Sequence, residues 1–134
     1  MSEMTADEGA ISPEDSEKIL ASARDYIESW LDGDADRMAR CLHPALVKRQ
    51  SLEADPTAET RTRDEMVRLA GEGRAKKLAR PYEVSILDAF GDIATVRVLS
   101  SAYLDYLHVA RSGDTWLLLN VLWQRRSRGF DPTL

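Results

Sequence analysis

Residues 103–125 read YLDYLHVARSGDTWLLLNVLWQR, and the reading of this stretch decides the fold. Two runs rich in β-branched, aromatic and aliphatic side chains, 103–111 and 115–125, flank Ser112-Gly113-Asp114, a tight turn between antiparallel strands. Upstream, 82–90 and 93–100 have the same character and are joined by Gly91-Asp92. The second half of the chain therefore reads as a four-stranded antiparallel meander.

Alternation along a strand puts Tyr103, Asp105, Leu107 and Val109 on one face, and Leu104, Tyr106, His108 and Ala110 on the other. Asp105 and His108 are thus expected to point apart. In the last strand, strict alternation groups Leu117, Leu119, Val121 and Trp123 against Trp116, Leu118, Asn120 and Leu122. Both faces are mainly apolar, so helices cover one and something else covers the other. A second subunit is the simplest cover, which makes a homodimer through the outer sheet face the expectation; loops and residues 127–134 are the alternative.

The first half carries helix signals. Ser12 followed by Pro13 reads as a cap and first helical residue, with Glu14 and Asp15 suited to the positive helix end. Ile19, Ala23, Tyr26, Ile27, Trp30 and Leu31 then recur at helical spacing on one face. Gly33 ends this helix, and Asp34 caps a shorter one carrying Ala35, Met38 and Leu42, which Pro44 stops. Residues 46–49 read as a short strand and the surroundings of Asp55-Pro56 as a loop. Thr62 and Glu65 form a capping box for a third helix bearing Met66, Leu69 and Ala70, closed by Gly71 and Gly73. Three helices followed by a meander is an α+β layout. Residues 1–11 read as a disordered acidic tail, 12–126 as one domain and 127–134 as a C-terminal tail.

The 134 residues suffice for one core, and 43% apolar with 31% charged residues is an ordinary globular balance. A net charge of -5 argues against nucleic acid, whose affinity comes from basic residues neutralising phosphates. Basic clusters at 74–77 and 125–128 read as solvated surface, with an anionic partner as the alternative. Cys41 reads as a small core residue. The first twelve residues lack a signal-peptide pattern, and the apolar run 116–123 is far too short to span a membrane, so a cytoplasmic location is expected.

The segment 26–34 (YIESWLDGD), then Leu42-His43-Pro44-Ala45, then Leu104-Asp105-Tyr106-Leu107 running through Gly113 to Trp116 and Trp123, carry a family likeness in their order and spacing. Over roughly residues 15–126 the chain resembles the nuclear transport factor 2-like superfamily, which includes ketosteroid isomerase-like and SnoaL-like proteins. Within it the chain looks most like the group called "putative lumazine-binding". The resemblance implies a cone, in which a curved, mostly antiparallel sheet wraps three helices around a central pocket, commonly in a dimer. Members include isomerases, dehydratases, cyclases and binding modules, so the fold leaves function open.

By that resemblance Tyr26 and Asp105 look like the pocket tyrosine and aspartic acid that donate hydrogen bonds to a developing enolate oxygen, and Trp123 like a lining aromatic. The position of the carboxylate base is occupied by Gln50, an amide that cannot take a proton from carbon; Glu53, Asp55 or His43 are the substitutes to consider. Each candidate also has a plain structural reading: Asp105 bonded to backbone or an arginine, Tyr26 as core packing, His43 at a helix end. The expected pocket comprises Tyr26, Trp30, Met38, His43, Met66, Tyr103, Asp105, Leu107, Leu119 and Trp123. With His43 and His108 the sole histidines and on different elements, no metal is expected, and no cofactor motif is present. The leading expectation is a small-molecule-binding domain for an apolar or aromatic ligand. The alternatives are an isomerase, dehydratase or cyclase acting on a carbonyl compound, and a ligand-free dimeric interaction module.

Overall fold

The computed structural model describes residues 8–126. Helix α1 (Pro13–Asp32) starts where the Ser12 hydroxyl accepts from the Asp15 N–H at 3.0 Å, and it ends at Gly33, whose φ of 71° glycine adopts without strain. Its buried stripe of Ile19, Ala23, Tyr26, Ile27 and Leu31 follows the helical spacing of the sequence. Helix α2 (Ala35–Cys41) is capped by Asp34, and α3 (Arg63–Gly71) by the reciprocal Thr62–Glu65 box. A 3-10 turn at Arg74–Lys77, not expected from the sequence, follows Gly73.

Five strands complete the chain: β1 (Leu42–Gln50), β2 (Glu83–Phe90), β3 (Ile93–Leu99), β4 (Tyr103–Ser112) and β5 (Thr115–Arg125). Their order is β1-β5-β4-β3-β2, with β1 parallel to β5 and every other pair antiparallel. The class is α+β, as expected. β1 begins earlier than expected, directly after α2, and Pro44 lies inside it. An edge strand tolerates a residue without an N–H, and the β1–β5 register shifts between Leu42 and Val47, around that proline.

The helices cover one sheet face and enclose Val96, Val98, Leu107, Val109, Trp116, Leu118 and Val121 in the core. Here strict alternation in β5 fails. Val109 pairs with Leu118 but His108 with Asn120, so Leu119 is an extra residue, a β-bulge. The bulge turns Trp116 and Leu118 inward together with Val121 and Trp123, and leaves Leu119 beside His108 and Asn120 in a shallow outer depression. Inward Trp116 is then able to donate its indole N–H to Asp15 at 3.1 Å, and Asp15 also accepts two bonds from Arg111, at 3.0 and 2.8 Å. These contacts fasten the start of α1 to the β4–β5 hairpin.

At the N-terminal side, contact with the fold begins before Ser12: the Gly9 carbonyl accepts from the Gly91 N–H at 2.8 Å, and Ile11 packs against the core. The remainder of both expected tails, 1–7 and 127–134, lies outside the described residues. Among the described residues no helix is long and apolar enough to cross a membrane.

Candidate functional site

Lys48 is the residue around which the site is built. On β1 the buried Leu46 faces the helices, and two residues on the same period brings Lys48 to that face. Its backbone pairs with Val121 of β5 on one side and, through an isolated antiparallel bridge, with Arg61 on the other. Lys48 therefore enters the interior between α1 and the sheet, with its side chain 11% exposed.

The Lys48 ammonium donates to the Tyr26 hydroxyl at 2.6 Å, and that hydroxyl donates to Asp105 Oδ2, also at 2.6 Å. Nζ itself is 3.9 Å from Asp105 Oδ2, an ion pair without a direct hydrogen bond. Three rings surround the ammonium, with centroids at 5.2 Å (Tyr26), 5.6 Å (Trp30) and 5.4 Å (Trp123), inside the range of cation–π attraction. Trp123 is in turn held edge-to-face against Tyr103, centroids 5.4 Å apart.

Burial sets the proton affinities. It pushes the Asp105 carboxyl up, a tendency that the Lys48 charge and the Tyr26 hydrogen bond oppose. It pulls Lys48 down, opposed by Asp105 and reinforced by the positive charge of Arg61. The Tyr26 hydroxyl rises well above its usual value, through burial first and the neighbouring carboxylate second, and stays a phenol at any physiological pH.

These groups form one wall of a cavity of about 440 Å³, within the range of small-ligand sites. Tyr26, Trp30, Met66, Tyr103, Asp105 and Trp123, all expected in a pocket from the sequence, line it. The other four expected residues lie elsewhere. Met38 is fully buried between α1 and α2 with its sulfur 3.7 Å from Ser29 Oγ, and Leu107 is fully buried in the sheet core. Leu119 is turned out by the bulge. His43 lies in β1, beyond the end of α2, and its Nδ1 accepts from the Ala45 N–H at 2.9 Å.

The substitutes for a carboxylate base are also outside this cavity. Glu53 is exposed, and Asp55 organises its own loop by accepting from Thr57 and from the Glu59 N–H. Gln50 and Asp55 line a smaller neighbouring pocket of about 100 Å³. Nor are Tyr26 and Asp105 arranged as two parallel donors, because Tyr26 spends its proton on Asp105 and its oxygen on Lys48. Of the three groups in this chain of hydrogen bonds, the one left with unused donors is Lys48: an ammonium has three N–H bonds and Nζ makes one hydrogen bond here. Sequence reasoning passed over Lys48; the available signal was a lysine two residues beyond a core leucine on an edge strand.

Residues 14–124 match the protein family described as "Putative lumazine-binding". The chain belongs to this family. No curated protein matches it in sequence. Among solved structures it is similar to an NTF-2 like protein of unknown function from Silicibacter pomeroyi, with a TM-score of 0.72, 18% identity, and coverage of 84% of this chain and 97% of that one. It is also similar to an NTF2-like protein of unknown function from Methylobacillus flagellatus (TM-score 0.70, 14% identity, 90% and 98% covered). A ketosteroid isomerase-like protein from Erwinia carotovora atroseptica is a further match (TM-score 0.62, 16% identity, 87% and 99% covered). The fold is thus NTF2-like, as the resemblance implied, while identities this low leave the site to be argued from its own residues.

The Lys48–Asp105 pair is testable by a double-mutant cycle in urea denaturation. Lys48→Met alone strands a buried carboxylate and is expected to cost about 3–5 kcal/mol. Lys48→Met/Asp105→Asn is expected to be more stable than the sum of the two single costs by about 1–3 kcal/mol. Additive single costs would mean that the two groups do not interact.

Proposed function

We propose that this chain binds a small, flat organic molecule in the cavity between α1 and the sheet, with the Lys48 ammonium donating to an oxygen or ring nitrogen of the ligand. The observation that carries this reading is a buried cation with unused donors in an aromatic box that opens on a cavity. Trp30, Trp123, Tyr103 and Met66 supply apolar, polarizable walls for a planar body, and Tyr26 with Asp105 fixes the position of the ammonium. The family's description, which names lumazine, a flat bicyclic ring, agrees in shape.

Binding is favoured over isomerisation because the groups expected to act as base lie outside the cavity. It is favoured over a ligand-free module because a cavity exists. Thermal denaturation against a panel of pterins, flavins and polyketide-like carbonyl compounds tests it, since a ligand of the native state raises the midpoint as its concentration passes its Kd. At least one compound is expected to stabilise the protein by several degrees, with the shift lost in Lys48→Met/Asp105→Asn, whose fold is checked by circular dichroism. A shift retained in that variant would place the ligand elsewhere.

We also propose that a second copy covers the outer sheet face, supported by the exposure of Phe90, Ile93, Tyr106 and Leu122 there. Sedimentation is expected to give a dimer that Ile93→Glu/Leu122→Glu converts to a monomer; a wild-type monomer at tens of micromolar would end that proposal.

A further inference from the structure

The cavity does not share the charge of the chain. At net -5 the molecule is acidic, yet five cationic side chains line this cavity, namely Lys48, Arg61, Arg74, Lys77 and Arg125, against the single carboxylate of Asp105. Asp105 is already occupied by Tyr26 and Lys48, and Arg74 is neutralised by Glu72 at 2.8 Å. Among the described residues Arg61, Lys77 and Arg125 have no ion-pair partner; Arg125 instead lies over the Tyr103 ring at 5.6 Å.

Lys48 and Arg61 sharpen the imbalance. They are direct partners in an antiparallel bridge, with mutual backbone hydrogen bonds of 3.0 and 2.9 Å, so their side chains share a face. Like charges in that relation repel, and the repulsion is felt by the buried ammonium. Asp105 is the one acid on the cavity itself, while Asp55, Glu59 and Glu65 lie on the adjoining smaller pocket that Lys48 and Arg61 also line, so the uncompensated charge of the cavity rests most on Lys77 and Arg125. An anion in the cavity would complete the charge set, as occurs where arginines and lysines converge on carboxylate or phosphate.

Resting on the binding function proposed above, we infer that the ligand is an organic anion, an aryl carboxylate or aryl phosphate. Its planar body lies against Trp30 and Trp123, and its charged group is held by Arg61, Lys77 and Arg125. The basic stretch at 74–77 then has a role at the cavity rather than serving as plain solvated surface. The 3-10 turn after Gly73 is what brings Lys77 there.

The test is tryptophan-fluorescence titration with three probes of one ring system: 2-naphthol, 2-naphthoate and 2-naphthyl phosphate. Either anion is expected to bind at least tenfold more tightly than the neutral alcohol, and the stronger of the two identifies the charged group. Raising NaCl from 50 to 500 mM is expected to erode that preference, as is Arg61→Gln/Lys77→Gln, two exposed positions whose change should leave the fold intact. Equal, salt-independent binding of all three would overturn the anion inference while leaving the binding function standing. Failure of all three to bind would count against both.

Discussion

A lysine ammonium cannot be taken out of water without partners, and the placement of Lys48 constrains everything near the cavity. An isolated buried charge costs many kcal/mol, so the fold must deliver an acid, a hydrogen-bond acceptor and polarizable surfaces to one point. It does so from separate elements: Tyr26 and Trp30 from α1, Asp105 from β4 and Trp123 from β5. Asp105 and Trp123 are direct cross-strand partners, so the β4–β5 register that aligns one aligns the other. A slip of one residue would reverse the side chains of the strand that moved, taking from the ammonium its counter-charge if β4 slipped or the Trp123 ring if β5 did.

The bulge at Leu119 is part of that register. It allows Trp116 and Leu118 at one end of β5, and Val121 and Trp123 at the other, to face the helices although their spacing is out of phase. Without it, either Trp116 would lose Asp15 or Trp123 would leave the ammonium. An apparent irregularity thus joins the anchor of α1 to the candidate site.

Much of the architecture was legible because it rests on local signals. Ser12-Pro13, Gly33, the Thr62–Glu65 box and the two glycine turns each dictate backbone conformation within a few residues, and the helices and meander follow. The misplaced residues depended on distant ones. Nothing in 116–123 announces a bulge, because the run is apolar at every position but Asn120 and fits either phase. Strict alternation therefore puts Leu119 on the face of Trp123 and Trp116 on the opposite one. Met38 and His43 were weighed by residue type, whereas their positions follow from α2 giving way to β1 at Leu42. Asp105 and Tyr26 were found through resemblance, but Lys48 changes what they do. Of the two groups expected to donate to a ligand oxygen, Tyr26 donates instead to Asp105, which only accepts, and the cation at the head of this chain faces the cavity.

Heteronuclear NMR of specifically labelled lysine, following the Lys48 side chain through a pH titration, tests most directly whether this buried ammonium organises the site. The account predicts a midpoint below the ordinary lysine value of about 10.4, because burial outweighs the attraction of Asp105. Asp105→Asn should lower the midpoint further by removing that attraction. A midpoint at the ordinary value, unmoved by Asp105→Asn, would mean that Lys48 is solvated and apart from Asp105, and would contradict the account.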